Sequence, residues 1–483
     1  MTYPDAIQYL YSLRWFGAKF GLTNTFKLAA LAGDPQRRLR FIHVAGTNGK
    51  GSTCALLESI YRTAGLRVGL FTSPHLVSFR ERIQIDREPI SEDEVAGLTG
   101  EMMALLKAEW GTGDAGFDSA VVEHPTFFEV VTVMALKYFE TRNCELVIWE
   151  TGMGGRLDAT NIVTPLASVI TNIQYDHQKW LGETLESIAA EKAGIIKPGV
   201  PVITTAEAPE ALRVIEETAR RQHAPLTVVS GGRKGLQAAG GHPERLREFN
   251  LQAGGFPDRT PPVSGVQPAI CNVELGAPDV SELLEGITLP LLGEHQRLNA
   301  ALAVTTARVL ANQIPLTEDT LRTGLSRVQW PGRLQLVERS SGQRFVLDGA
   351  HNPAGAQTLA DALKKHFGSG FTLVLGILSD KDWRRMCETL APLAARILLT
   401  PVPSERSAAP AELADACRQA NPQAQTAECS CLSDALASAE NEPLVIIAGS
   451  LYLVGEAMEL LGLSPANFPD ERELNEWSQA RQT

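Results

Sequence analysis

Short apolar runs alternate with longer segments of helical periodicity through the first 230 residues of the chain. Runs rich in Val, Ile and Thr predict five strands, at 40–45, 67–72, 146–150, 167–172 and 200–204. Apolar positions at helical spacing predict helices between them, including 54–64, 127–141 and 185–193. Because the predicted strands are apolar along most of their length, we expect a mainly parallel sheet with helices on both faces.

A second series of alternating elements begins near Trp330, after a predicted helix that follows Gly293. Its strands are predicted at 344–348, 372–376, 396–400 and 444–448. Residues 231–272 interrupt the pattern, and their Gly and Pro content predicts a long surface excursion. We therefore predict an α/β protein with two domains, 1–313 and 331–483, joined by a linker at 314–330.

Composition narrows the class of protein. A net charge of −12 without a long Lys/Arg block argues against a nucleic-acid partner. No apolar run reaches the roughly 18 residues of a membrane-spanning helix, and the seven scattered cysteines suggest no disulfide framework. The first twenty residues lack a basic segment leading into an apolar run, so we expect a cytoplasmic enzyme.

The segment GTNGKGST, residues 46–53, lies between a predicted strand and a predicted helix. It departs from the common phosphate-loop pattern, because Val44 stands where the first Gly is expected. Glycines still allow the backbone to approach an anion, and amides at a helix N-terminus attract phosphate. Lys50 would neutralise phosphate, and Ser52 or Thr53 would offer a hydroxyl. The context favours a nucleotide site over a simple glycine-rich turn.

Polar side chains stand at or shortly after the ends of three other predicted strands of the first series: Ser73, Glu150 and His177. Ligands of open α/β sheets bind outside the carboxyl ends of the strands, so these side chains should meet the phosphate loop. One carboxylate with hydroxyl and phosphate oxygens suits Mg²⁺. Taken singly, Ser73 could start a turn, Glu150 could cap a helix, and His177 could be an ordinary loop histidine.

Lys192 lies in the small-residue segment AAEKAG and has two interpretations. It is either a surface lysine or a partly buried one whose pKa is lowered. In the second series, polar loops follow the predicted strands at 348–353, 379–382, 403–407 and 449–452. Four such loops predict a face that meets a ligand on the side of the first domain.

Several motifs together resemble the folylpolyglutamate synthase/dihydrofolate synthase group of the Mur ligase superfamily. They are HVAGTNGKGST, TSPHLVSFRERI, ETGMGGRLDATN, EKAGIIKP, GEHQRLNAALA, WPGR and LDGAHNP, in order from about residue 40 onward. The family's phosphate loop reads GTNGKGS, which accounts for the departure from the common pattern.

The resemblance implies an N-terminal P-loop ATPase domain and a smaller, Rossmann-like C-terminal domain, with ATP between them. It implies that ATP phosphorylates a carboxylate of dihydropteroate or a reduced folate, and that the amine of L-glutamate then attacks the acyl phosphate. It also implies Mg²⁺, two ions in this family, and a monovalent cation. We expect a monomer without membrane or nucleic-acid partners.

The resemblance also implies roles for individual residues. Nucleotide binding falls to Gly46, Thr47, Asn48, Gly49, Lys50, Gly51, Ser52, Thr53, Asn299, Arg333 and Asp348. Metal ligation falls to Ser73, Glu150, His177 and Lys192, the last as a carbamylated lysine. Catalytic roles fall to Lys50, Lys192, His177, Asp348 and His351, and either of the last two is a hypothetical base for the glutamate amine. Thr23, Phe26 and Lys27 lie where the family's pterin site begins.

Two other functions remain open at this point. Another Mur-type amino-acid ligase would share the fold and the phosphate loop. A nucleotide-dependent switch ATPase would share the first domain, but it would not need a second ring of polar strand-end loops.

Overall fold

The computed structural model describes residues 1–16, 21–111, 124–230, 246–250, 269–277, 280–464, 471 and 474–475. Its α-helices are α1 Tyr3–Ser12, α2 Thr23–Leu31, α3 Lys50–Thr63, α4 Glu92–Trp110, α5 Phe127–Thr141, α6 Gln178–Leu181, α7 Leu185–Ala193, α8 Pro209–Arg221, α9 Glu294–Val309, α10 Glu318–Ser326, α11 Pro353–His366, α12 Trp383–Leu390, α13 Pro410–Ala420, α14 Leu432–Ser438 and α15 Leu451–Leu460.

The strands are β1 Phe41–Ala45, β2 Val68–Phe71, β3 Ile83–Ile85, β4 Glu88–Pro89, β5 Leu146–Glu150, β6 Ala167–Ile170, β7 Val202–Thr204, β8 Leu226–Ser230, β9 Leu246–Asn250, β10 Ala269–Ala277, β11 Val280–Leu289, β12 Gln335–Glu338, β13 Arg344–Asp348, β14 Phe371–Leu375, β15 Ala394–Leu399, β16 Gln425–Glu428 and β17 Leu444–Ala448. None of the described helices has the length and apolar character that a membrane crossing requires.

Eleven of the described strands form one sheet in the order β11-β10-β9-β8-β7-β6-β1-β5-β2-β3-β4. The central strands β9, β8, β7, β6, β1, β5 and β2 are parallel; β10 and β11 add antiparallel pairs at one edge, and β3 and β4 add them at the other. One face carries α3, α9 and α10, and the other carries α1, α4 and α5. The central strands are buried on both faces, which confirms the predicted covered parallel sheet.

The second sheet has the order β12-β13-β17-β14-β15-β16, and its described strands are parallel apart from β12. Helices α11, α12 and α13 cover one face, and α14 and α15 cover the other. The core beneath α14 and α15 also contains Val77, which belongs to a loop of the first domain. A segment of the first domain is therefore inserted against the second.

Two predictions about the middle of the chain need correction. The predicted linker at 314–330 contains α10, whose Leu321 and Leu325 belong to the core of the first domain. The hydroxyl of Ser59 on α3 donates to the Gly324 carbonyl at 2.6 Å, which fixes α10 against α3. Within the predicted excursion at 231–272, residues 246–250 form β9 and residue 269 begins β10; the rest of the excursion lies outside the described residues.

Local sequence explains where the site-bearing helices begin. Thr126 and Glu129 form a capping box at α5, in which the Glu129 side chain accepts from the Thr126 amide at 2.8 Å. Helix α3 starts at Lys50, four residues earlier than predicted, because Gly49 adopts the left-handed conformation at its N-terminus. The first turn of α3 is therefore built from the phosphate-loop sequence itself.

Candidate functional site

A cavity of about 370 Å³ lies between the two domains, at the carboxyl ends of their parallel strands. The loops that follow β1, β2, β5 and β6 supply its first-domain wall, and the loops after β13, β14, β15 and β17 supply the opposite wall. The structure thus confirms that the polar strand-end loops of the second domain face the first. A cavity of this size at such a sheet edge is a typical ligand site.

The phosphate loop forms one end of this cavity. Its shape is held by Asn172, whose carbonyl accepts from the Thr47 amide at 2.9 Å and whose side chain accepts from the Asn48 amide at 2.8 Å. A Cβ at Gly46 would lie 1.7 Å from Thr171 Oγ1, so this position tolerates only glycine. The Lys50 ammonium donates to the carbonyls of Gly46 and Thr47, at 3.1 and 3.2 Å, and lines the cavity.

Helix α9 places two amide side chains beside the phosphate loop. Gln296 donates to Ser52 Oγ at 3.2 Å, and Asn299 donates to Gln296 Oε1 at 3.0 Å. Of the predicted nucleotide residues, Gly46 to Ser52, Asn299, Arg333 and Asp348 all line the cavity. Thr53 does not line it, because its side chain is fully buried within α3.

Glu150 and Lys192 are buried ionisable groups next to the phosphate loop. Burial raises the pKa of Glu150 to about 7, and its Oε2 accepts from the Ser73 amide at 3.0 Å. Burial, followed by the charge of Lys50, lowers the pKa of Lys192 to about 7, and its Nζ donates to the Gly46 carbonyl at 2.8 Å. The structure therefore excludes the surface-lysine interpretation of Lys192.

The predicted metal residues Ser73, Glu150, His177 and Lys192 all line the same cavity. Among the described residues, no three His, Cys, Asp or Glu side chains form a cluster that could hold a metal ion unaided. One carboxylate and one hydroxyl still fit Mg²⁺, which takes most of its remaining oxygens from water and nucleotide phosphates. The donor set thus suits an ion that arrives with a nucleotide.

Asp348 and His351 adopt different roles in the turn after β13. The two carboxylate oxygens of Asp348 accept from the amides of Leu334 and Ala350, at 2.8 and 2.9 Å, so Asp348 ties the turn to the segment after Arg333. His351 lies 2.8 Å through Nδ1 from the Gly349 carbonyl. Because a carbonyl only accepts, Nδ1 carries a proton, and Nε2 lies 3.7 Å from Asp176 Oδ2.

Asp176, after β6, connects the domains across the cavity. Its carboxylate lies 2.7 Å from the Lys381 ammonium and accepts from Asn352 Nδ2 at 3.1 Å. Asn352 also donates to Asn48 of the phosphate loop, at 3.1 Å. Burial acts to raise the pKa of Asp176, but the His351 hydrogen bond and nearby positive charge, including Lys381, lower it well below its usual range.

Another part of the cavity wall is apolar and contains Phe127, Phe128 and Met153. Asp158 is buried there, and its Oδ2 accepts from the Met153 amide at 2.8 Å. The predicted acceptor residues Thr23, Phe26 and Lys27 do not line the cavity; Lys27 instead pairs with Glu109 at 2.6 Å. Arg14 and Gly21, on either side of the undescribed residues 17–20, reach the cavity from the same region.

Sequence reasoning assigned no role to Arg82, Phe128, Asp158, Asp176 or Lys381, although all five line the cavity. Arg82 and Asp158 lie within the motifs TSPHLVSFRERI and ETGMGGRLDATN, so the motifs could have identified both residues. Lys381 and Asp176 follow strand ends, where polar residues are expected at a ligand site. For Phe128, on an apolar helix, the sequence offers no such signal.

This arrangement of two parallel sheets around one phosphate-loop cavity defines the Mur ligase class. Family models of that class match the chain in two places: the Mur ligase middle domain over residues 92–307, and the Mur ligase glutamate ligase domain over residues 332–451.

Individual relatives narrow the class further. A dihydrofolate synthase/folylpolyglutamate synthase of Bacillus subtilis (strain 168) is 36% identical over 464 residues, which span 95% of this chain and 99% of the relative. The crystal structure of a folylpolyglutamate synthase from Thermotoga maritima is 33% identical, with a TM-score of 0.77 over 98% of this chain and 99% of that one. A folylpolyglutamate synthase solved in complex with AMPPCP and folate is 31% identical, with a TM-score of 0.74 over 95% of this chain and 100% of that one. The chain belongs to the folylpolyglutamate synthase/dihydrofolate synthase family.

Proposed function

We propose that this protein is an ATP-dependent ligase that joins the amino group of L-glutamate to a carboxylate of a pteroate or folate. The observation that carries the proposal is the single cavity that unites the phosphate loop with polar strand-end loops of both domains. The chain belongs to a family in which the structure of one relative was solved with both an ATP analogue and folate.

The reaction has two steps in this proposal. The acceptor carboxylate attacks the γ-phosphorus of ATP, the bond to the β-phosphate oxygen breaks, and an acyl phosphate and ADP result. The glutamate amine then attacks the acyl carbon, phosphate leaves, and the amine loses a proton. Phosphoryl transfer depends mainly on positioning and charge neutralisation, which Lys50 and the amides at the start of α3 supply.

Divalent ions complete the charge balance in this proposal. Ser73 and Glu150 are the protein groups that would hold Mg²⁺, with His177 and Lys192 near a second ion. When bound, Mg²⁺ would neutralise phosphate charge and keep Glu150 ionised despite its burial. The monovalent cation and the cytoplasmic location also stay predictions.

The lowered pKa of Lys192 supports its carbamylation. A lysine with a pKa of about 7 presents a substantial fraction of neutral amine near neutral pH, and only the neutral amine reacts with CO₂. The product, an N-carboxylate formed with loss of a proton, would replace a cation beside Lys50 with an anion. The repulsion that lowers the Lys192 pKa would thereby become an attraction.

The acceptor would extend from the phosphate loop toward Phe128 and Asp158. Aromatic faces such as that of Phe128 bind flat rings like a pterin, whereas Asp158 shapes the wall, because its two carboxylate oxygens already accept the Met153 and Thr160 amides. For the glutamate amine, we propose His351 as the base, because its Nε2 lies 3.7 Å from the Asp176 carboxylate, which would stabilise the imidazolium that forms. Asp348 has a structural role in this scheme, since both of its oxygens already accept backbone amides.

The experiment that tests this function measures phosphate release with ATP, Mg²⁺ and L-glutamate, offering dihydropteroate or tetrahydrofolate as the acceptor. Release should depend on an acceptor and on glutamate together. Stimulation by dihydropteroate alone indicates a dihydrofolate synthase. Stimulation by tetrahydrofolate alone indicates a polyglutamylating enzyme, and stimulation by both acceptors indicates a bifunctional enzyme.

Lys50→Ala provides the negative control and should lower kcat at least a hundredfold while leaving thermal stability close to wild type. Lys364→Ala, on the exposed side of α11, is the matched control and should retain activity. Glutamate-independent ATP hydrolysis, or silence with both acceptors in a folded protein that binds ATP, would rule out the proposed reaction.

A further inference from the structure

Three residues near residue 470, Glu471, Leu474 and Asn475, pack against a loop of the first domain almost 400 positions earlier. We call them the tail residues. The loop, residues 73–82, begins at Ser73 of the proposed metal site and ends at Arg82 of the cavity. All three tail residues are buried, with exposed fractions of 0%, 2% and 7%.

Glu471 anchors the tail residues to the middle of the loop. Its Oε2 accepts from the Ser78 hydroxyl at 2.9 Å and from the Phe79 amide at 2.6 Å. A buried carboxylate is costly unless hydrogen bonds of this kind satisfy it, so the contact is specific. Burial raises the pKa of Glu471, and the Phe79 and Ser78 hydrogen bonds oppose this rise.

Asn475 and His75 hold the guanidinium of Arg82 from two sides. Arg82 Nε donates to His75 Nδ1 at 2.8 Å, so a neutral His75 carries its proton on Nε2, which donates to the Glu471 carbonyl at 2.7 Å. Arg82 Nη2 donates to Asn475 Oδ1, and Asn475 Nδ2 donates to the His75 carbonyl at 3.0 Å. The contacts form a closed hydrogen-bonded ring.

The ring leaves one edge of Arg82 facing the cavity. Nε donates to His75 and Nη2 donates to Asn475, whereas no hydrogen bond from Nη1 is found within the described part of the chain. The guanidinium carbon also lies 5.6 Å from the ring centre of Phe127, which lines the cavity too. Leu474 and Asn475 themselves line the cavity beside these residues.

We propose that the tail residues form part of the acceptor site: Asn475 positions Arg82 toward the carboxylate-bearing acceptor, and Leu474 packs against the acceptor's apolar portion. Asn475 and Glu471 are positioning residues, whereas Leu474 is a contact residue. The inference rests on the proposed function and adds the recognition element that distinguishes acceptor binding from ATP binding.

The test compares Asn475→Ala with Asn441→Ala, which removes an exposed asparagine of the second domain. The loss of a hydrogen bond to a charged group should raise the KM for the acceptor about tenfold in Asn475→Ala. The KM for ATP and kcat at saturating acceptor should stay within about twofold of wild type, because the phosphate loop is untouched. Acceptor affinity, measured by calorimetry without ATP, should fall by the same factor.

A second pair of variants decides the matter if Asn475→Ala does not fold. Glu471→Gln keeps the side-chain volume but weakens acceptance from Ser78 and Phe79, and Glu440→Gln is its exposed control. An acceptor KM raised severalfold in Glu471→Gln alone supports the proposal.

Acceptor and ATP affinities that fall equally, or an acceptor KM equal to wild type, overturn the assignment of the tail residues. The failure of the proposed function is distinguishable, because then the wild-type protein itself ligates glutamate to neither pteroate nor folate.

Discussion

At the scale of single residues, the site depends on ionisable groups that burial has moved away from their ordinary pKa. Glu150 and Lys192 both have a pKa of about 7, one raised and the other lowered by desolvation. Each therefore changes charge readily when a cation, a phosphate or CO₂ arrives. The net charge of the site can therefore change when a ligand binds.

Lys192 provides the residue-scale prediction. In Lys192→Ala, kcat should fall by at least tenfold, and acetate or formate should restore part of the activity by occupying the place of the proposed carbamate. Steady-state kinetics with and without each acid would measure the effect. Lys197→Ala is the control, since Lys197 donates to the Asn161 carbonyl at 3.2 Å and does not line the cavity. Wild-type activity in Lys192→Ala would refute a catalytic role.

At the scale of elements, loop 73–82 is held between the two domains by close backbone packing. A Cβ at Gly455 of α15 would lie 2.0 Å from the Leu76 carbonyl oxygen, and one at Gly332 would lie 3.1 Å from Leu76 Cδ1. Val77 occupies the core beneath α14 and α15. A shift of the second domain would therefore move this loop and, with it, both Ser73 and Arg82.

Gly455→Ala should consequently destabilise the protein by about 1–3 kcal/mol and lower activity, because the methyl group displaces the loop. Chemical denaturation and phosphate release would measure the two effects. Gly97→Ala in α4 is the matched control, since no atom lies within 4 Å of its Cβ position. This control should be neutral or stabilising by up to about 1 kcal/mol. Equal stability of the two variants would contradict the packing argument.

The elements also show what sequence could and could not predict. The limits of β5, α5, α7, β13 and β17 were predicted as they occur, because apolar patterning and caps are local. The start of α3 was missed, since glycines rarely signal a helix, and α10 was mistaken for linker although Thr317 caps it. The role suggested for Thr23, Phe26 and Lys27 stays a prediction: none of the three lines the cavity, and the placement of α2 depends on its packing against distant elements such as α5.

At the scale of the whole molecule, the domains meet through a buried ion pair beside the phosphate loop. The Asp176 and Lys381 side chains are only 8% and 9% exposed, and Asn352 links the same carboxylate to Asn48. Removing one member of a buried pair leaves an uncompensated charge, at a cost of roughly 3–5 kcal/mol. The pair should therefore favour the closed arrangement of the domains.

Lys381→Met should shift the protein toward more open arrangements, which small-angle X-ray scattering would detect as a larger radius of gyration. ATP and acceptor KM values should both rise, because in the proposed function both ligands would contact the two walls of the cavity. Lys364→Met is the exposed control. An unchanged radius of gyration in Lys381→Met would show that the remaining interdomain packing suffices.

The ring between loop 73–82 and the tail residues also concerns the synthesis of the chain. His75 and Glu471 are separated by 396 positions, so a ribosome must add nearly 400 residues after His75 before the ring can close. The phosphate loop at 46–53 is synthesised long before then. In the proposed arrangement, the growing polypeptide therefore acquires acceptor binding much later than it acquires the phosphate loop.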